Sequence, residues 1–141
     1  MIQSYVVGFL FSEDDKKVVL IRKDKPKWQA GLLNGVGGKI EAGESPHRAM
    51  IREFKEEAGL DIPLWKPIVK IYSDSYEVHF FMAKGDVTKV TSVTSEKVKV
   101  VDVLKLPKNV LWDVRWLVPL ALAKNVRFPL EINDPSLPGQ G

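Results

Sequence analysis

Apolar and polar positions follow two different periods along this chain. Residues 4–11 are rich in Val, Phe and Tyr, residues 12–17 are polar and turn-like, and residues 18–21 are apolar again. That order predicts a strand, a hairpin turn and a second strand. Residues 32–39 carry Gly35, Gly37 and Gly38, as expected where backbone turns sharply or comes close to another group. The period then becomes helical. Met50, Ile51, Phe54 and Ala58 share one arc, with Ser45 placed as N-cap, Pro46 at the first helical position and Gly59 as a left-handed C-cap. This predicts a helix over 46–58 whose apolar arc packs on a sheet. Strands are predicted over 68–72, 76–84 and 98–103, and a second helix over 112–124, kinked by Pro119. A loose tail is expected over 133–141, which holds two prolines and two glycines.

With 141 residues and 45% apolar content, the chain supports one core and one domain, expected over 1–132. The absence of cysteine excludes disulfides, thiolate metal sites and a cysteine nucleophile, and fits a cytoplasmic location. The longest apolar runs, 5–11 and 116–123, fall short of the roughly 18 residues of a membrane span, and the N-terminus lacks a signal-peptide pattern. No membrane partner is expected. The net charge of +3 comes from 21 basic and 18 acidic residues without a long basic stripe, which argues against long nucleic acid. The local cluster Arg22, Lys23, Lys25 and Lys27 suits a small anion, or equally a solvated turn.

The chemistry is concentrated in one motif. Gly38 is followed after five residues by Glu44, after seven more by Arg52 and Glu53, then Phe54, Glu56, Glu57, Gly59 and Leu60. Offsets of three and four bring Glu53, Glu56 and Glu57 to one helix face, where they repel. Hard oxygen ligands so grouped suit Mg²⁺ or Mn²⁺. The plainer alternative is a solvated acidic face balanced by Arg52 and Lys55. The spacing resembles the Nudix box, Gx5Ex7REUxEExGU with U apolar, at every specified position, and a chance match at a given start is on the order of 10⁻⁸.

That resemblance implies an α/β Nudix fold, an α/β/α sandwich with a mixed sheet. It also implies metal-dependent hydrolysis of a phosphoanhydride in a nucleoside diphosphate-linked substrate. By resemblance Glu53, Glu56 and Glu57 are metal ligands, with Glu53 the first candidate to orient or deprotonate the attacking water. Glu44 is a further ligand or supporting acid, and Arg52 fixes a glutamate through a charge-assisted bond. The family commonly adds the carbonyl before the first glycine of the box, here Gly37, and some members add an acid from outside it. Glu96, ahead of the strand over 98–103, is the matching candidate, or a plain surface glutamate.

For the substrate, the run 33–39 is similar to the MutT-type branch that acts on purine nucleoside triphosphates. This makes Asn34 a base contact and places Gly38 and Lys39 beside the substrate. The stretch 110–116 resembles the branch's base-binding region, with Trp112 for stacking and Asp113 for the base edge. Trp112 and Trp116 are four residues apart, so one is expected in the core, and Asp113 has the alternative role of capping the last helix. The branch's paired acids are not reproduced, since Val114 follows Asp113. Arg22 and Lys23 are candidates for phosphates, whereas His47 and His79 read as structural. The expected reaction converts a nucleoside triphosphate, including an oxidised purine one, to monophosphate and pyrophosphate with Mg²⁺. Nucleotide sugars, ADP-ribose and dinucleoside polyphosphates are alternative substrates, and a non-catalytic nucleotide sensor is the alternative of another class. A monomer or homodimer is expected.

Overall fold

The structure is a computed structural model that describes residues 2–136. Its elements in chain order are β1 (Gln3–Phe11), β2 (Lys17–Arg22), β3 (Leu33–Asn34), β4 (Val36–Lys39), α1 (Pro46–Ala58), β5 (Lys66–Tyr72), β6 (Tyr76–Lys84), β7 (Lys97–Asp102), α2 (Val114–Ala121) and β8 (Leu130–Asn133). The strands form one mixed sheet in the order β3-β2-β1-β6-β5-β8, with β4 paired to β1 and β7 to β2. Pairing of β1 with β6 and of β5 with β8 is parallel, and the remaining named pairs are antiparallel.

Both faces of the sheet are covered, which explains why β1 is apolar almost throughout instead of alternating. Tyr5, Val7, Phe9 and Phe11 point to one face with Val18 and Leu20 of β2, and α2 closes that core with Val114, Leu117, Val118 and Ala121. Val6 and Leu10 point to the other face with Val19 and Ile21, under Ala49, Met50, Phe54 and Ala58 of α1. The result is the α/β/α sandwich with a mixed sheet that the resemblance implied. No helix among the described residues is long and apolar enough to cross a membrane.

Local chemistry sets the limits of α1. Ser45 is extended, its hydroxyl accepts from the Arg48 N–H at 3.2 Å, and Pro46 begins the helix. Gly59 ends it at φ 72°, a left-handed conformation that disfavours a side chain, with its N–H on Lys55 O at 3.0 Å.

The glycine-bearing stretch over 32–39 holds β3 and β4, and the close backbone approach expected there is the pairing of β4 with β1 along Tyr5 to Gly8. Elsewhere the observed elements differ from the expected ones. The second helix is eight residues long, shorter than 112–124. Beyond Ala121 the chain tightens, with the Leu122 N–H on Pro119 O and the Ala123 N–H on Leu120 O. β8 was not expected; it adds to the sheet edge beside β5, and the Asp134 N–H bonds Tyr72 O at 2.8 Å. The expected tail therefore begins in a paired strand, and its residues 137–141 lie outside the described residues.

Candidate active site

Glu53 sits on the border of the apolar face of α1, 8% exposed, against β4. It fits because Gly38 has no side chain: a Cβ there would stand 2.6 Å from the Cδ, Oε1 and Oε2 of Glu53. Gly37 is required for a different reason, since its Cβ would lie 1.9 Å from the carbonyl oxygen of Val6 in the adjacent strand.

Arg52 gathers the carboxylates that surround it. Its Nε donates to Glu44 Oε2 at 2.7 Å and its Nη2 to Glu44 Oε1 at 2.8 Å, a two-pronged bond. Its Nη1 donates to Glu53 Oε1 at 2.8 Å and to Glu56 Oε2 at 3.2 Å, and Nη2 also reaches Lys39 O at 3.1 Å. The hydrogen bond from Arg52 holds the Glu44 carboxyl below its ordinary range, and Glu44 in turn holds Arg52 above its own.

Glu57 lacks such a partner. Its Oε2 is buried without a hydrogen bond, and burial pushes its carboxyl up to about 8, reinforced by Glu53, Glu96 and Glu56 and opposed by Lys23. Burial also raises Glu53, against the pull of Arg52. Glu96, 8% exposed, arrives from 39 residues further along the chain through tertiary structure. Its Oε1 pairs with Lys23 Nζ at 3.3 Å and its Oε2 accepts from the Asp24 N–H at 2.6 Å. The loop that carries it is tied at both ends, by Ser95 Oγ donating to Asp24 Oδ2 at 2.7 Å and by the Thr91 N–H on Ala58 O at 2.9 Å.

With Glu44, Glu53 and Glu56 drawn onto one guanidinium, no group of three His, Cys, Asp or Glu side chains stands ready to hold a metal among the described residues. The donor set nonetheless fits a hard divalent cation. An unpartnered buried carboxylate oxygen on Glu57, beside three more carboxylates and only one lysine, is an arrangement that added positive charge relieves.

The expected base contacts lie further along β3. Asn34 is 5% exposed; its Oδ1 accepts from the Gly35 N–H at 2.8 Å and its Nδ2 donates to Gln29 Oε1 at 3.4 Å. The segment carrying Trp112 and Asp113 runs beside β3, with the Leu33 N–H on Asn109 O and the Leu111 N–H on Leu33 O, both 2.8 Å. Asp113 precedes α2 yet makes no capping bond; its Oδ1 is buried and unpartnered, and burial pushes it up to about 6. Trp112 is 64% exposed, while Trp116 packs against the core of the α2 face.

Arg22 is exposed at the end of β2, opposite Leu33 and Lys97. His47 Nε2 accepts from the Trp65 N–H at 3.3 Å, and His79 Nε2 lies 3.1 Å from Glu77 Oε1. Sequence reasoning missed Gln29, Asp24 and Ser95. Asp24 and Ser95 lie in polar stretches and Gln29 between Trp28 and Ala30, and in none of these does the pattern mark the polar residue as buried or paired.

A sandwich that seats an acidic helix on a glycine-bearing strand, with one arginine holding three glutamates, defines a Nudix-type hydrolase site. The chain belongs to the NUDIX domain family, whose model matches residues 1–128. It is 31% identical over 114 residues to the oxidized purine nucleoside triphosphate hydrolase of Danio rerio, covering 75% of this chain and 72% of that protein. It is 41% identical over 49 residues to the CTP pyrophosphohydrolase of Escherichia coli K12, covering 35% of this chain and 36% of that protein. Among solved structures it resembles the NUDIX domain of Shewanella oneidensis NrtR complexed with ADP ribose. That match has a TM-score of 0.70 at 21% identity, over 86% of this chain and 87% of that one, and shows a shared fold. The protein is a Nudix family hydrolase of small nucleotide-linked substrates.

Proposed function

We propose that this protein hydrolyses purine nucleoside triphosphates, oxidised ones included, to the monophosphate and pyrophosphate with Mg²⁺ as cofactor, Mn²⁺ being an alternative. The observation that carries the chemistry is the buried, unpartnered Glu57 Oε2 within a cluster of four carboxylates. Glu53, Glu56, Glu57 and Glu96 with the Gly37 carbonyl are the groups that would hold the cation. When bound, it neutralises phosphate charge and lowers the pKa of water.

The residues of the chain do the rest. Glu53, recessed and raised by burial, orients the attacking water and accepts its proton. Arg52, fixed by Glu44, sets the position of the Glu53 carboxylate through their 2.8 Å bond. Lys23, Arg22 and Lys39 supply positive charge toward the phosphates, with Gly38 leaving room at the carboxylate end. Asn34, Trp112 and Asp113 form the base end. The likeness to an oxidized purine nucleoside triphosphate hydrolase over three quarters of the chain supports the choice of substrate.

The test is pyrophosphate release from a panel of nucleoside triphosphates, nucleotide sugars, ADP-ribose and dinucleoside polyphosphates with Mg²⁺, with Glu53→Gln alongside. Purine triphosphate turnover is expected, lowered by about 10² to 10⁴ in the variant. Turnover confined to ADP-ribose or the sugars would overturn the substrate, and nucleotide binding without turnover would make the protein a sensor.

A further inference from the structure

Among the described residues Gln29 is the one uncharged side-chain amide besides Asn34 that is buried, and it is 1% exposed. It ends a 3₁₀ turn, Lys27–Gln29, whose geometry is set by the Gln29 N–H on Pro26 O at 2.9 Å and the Leu32 N–H on Gln29 O at 2.8 Å. The side chain thereby turns inward to a cavity of about 30 Å³ whose walls include Lys23, Gln29, Asn34, Gly37 and Gly38. The cavity therefore lies between Asn34 and the glycine pair of β4. Sinking a primary amide there costs about 1 to 3 kcal/mol unless its polar atoms are bonded, and any apolar side chain of similar size would avoid that cost.

One bond that it accepts, from Asn34, bears on the site. Asn34 Oδ1 accepts from Gly35 N–H while Nδ2 donates to Gln29 Oε1. Turning the Asn34 amide over would set N–H against N–H at Gly35, so this backbone donor selects the orientation, and Gln29 Oε1 accepts from the Nδ2 that the orientation presents. One Nδ2 hydrogen and one Oδ1 lone pair are then left for a ligand, in a fixed order. We propose that Gln29 is a positioning residue that holds the Asn34 amide in place in the order set by Gly35 and so sharpens which base edge the enzyme accepts. The inference rests on the nucleoside triphosphate reading, with Asn34 as base contact.

The experiment measures kcat and KM for GTP, ATP and inorganic triphosphate in the wild type, Gln29→Leu, Gln29→Met, Gln29→Glu and Asn34→Ala, and in the Gln29→Leu/Asn34→Ala double variant. Gln29→Leu is expected to raise KM for the preferred nucleotide about tenfold with kcat within twofold, and to bring the GTP-to-ATP ratio of kcat/KM toward one. Inorganic triphosphate has no base and should be turned over as by the wild type. Gln29→Glu keeps an acceptor oxygen and should retain the nucleotide preference, and Gln29→Met, uncharged and of similar length, should show the loss seen with leucine and covers the case that the leucine variant does not fold. In the Asn34→Ala background the leucine substitution should add nothing to the loss of preference. An unchanged GTP-to-ATP ratio in folded Gln29→Leu or Gln29→Met, or an equal loss on inorganic triphosphate, would overturn the role of Gln29 while leaving the triphosphate reading intact. Failure of the wild type on every nucleoside triphosphate would instead overturn the reading itself and the inference with it.

Discussion

Adjacent glycines at 37 and 38 should fail in opposite ways when each is given one methyl group. An alanine Cβ at 38 would stand 2.6 Å from all three carboxylate atoms of Glu53, where ordinary contact begins at 3.4 Å. The carboxylate must therefore retreat by about 0.8 Å, the gap between those two values. Because it is the far end of a flexible side chain, the retreat weakens the Arg52 bond and leaves the sheet alone, at a stability cost of about 1 kcal/mol, roughly 4 °C in Tm. Catalysis is less forgiving. Misplacing a reacting group by about 1 Å costs on the order of 10² in rate, so Gly38→Ala should lose about that much kcat on the best triphosphate. At position 37 the same methyl would lie 1.9 Å from the Val6 carbonyl oxygen, a backbone atom held in the β1–β4 pairing. Nothing there can rotate away, so Gly37→Ala should lose about 4 kcal/mol or more of stability, or not fold at all. Pyrophosphate release and thermal unfolding on both variants decide the matter. A Gly38→Ala enzyme with kcat within twofold of wild type would refute the argument, as would equal losses of Tm in the two variants.

Three other outcomes follow from the same geometry. The folded pKa of Glu57, about 8, exceeds its ordinary 4.5, so between these values the folded protein holds a proton that the unfolded chain has released. Stability in chelator should therefore fall as pH rises from about 5 to 8, by on the order of 3 kcal/mol, and Glu57→Gln should flatten the slope in urea titrations at the two ends; parallel slopes would reject it. Lys23→Met leaves the buried Glu96 without its cation and should lower Tm and raise KM for triphosphates about tenfold, whereas Lys25→Met at an exposed neighbouring position should change neither; the two variants are compared by unfolding and kinetics. Phe54→Ala removes a fully buried ring that lies 5.2 Å from the ring of Trp65, and should cost about 3 to 5 kcal/mol by denaturant unfolding; a loss below 1 kcal/mol would mean the α1 core is packed more loosely than described.

What could be read from the chain alone is what depends on near neighbours. The limits of α1 follow from Ser45, Pro46 and Gly59, each acting within a few residues, and they match the observed helix. The common face of the box glutamates follows from helix geometry, and the first two strands and β6 follow from apolar runs bounded by turn residues. Tertiary structure decided the rest. The parallel β1–β6 pair and the addition of β8 depend on partners about 60 or more residues apart, and the four-residue β8 has too short an alternation to announce itself. The second helix ended early because its last carbonyls are met by tight local turns, which residue preferences did not reveal. In the site, the sequence put Arg52 eight residues from Glu44, but only folding turned it into a bond with Glu44, Glu53, Glu56 and Lys39 O at once. The burial of Gln29 against Asn34 was likewise invisible, and the choice for Glu96 between an acid of the site and a plain surface glutamate was open until folding brought it beside Glu57, because desolvation and charge coupling belong to the space around a residue and not to its place in the chain.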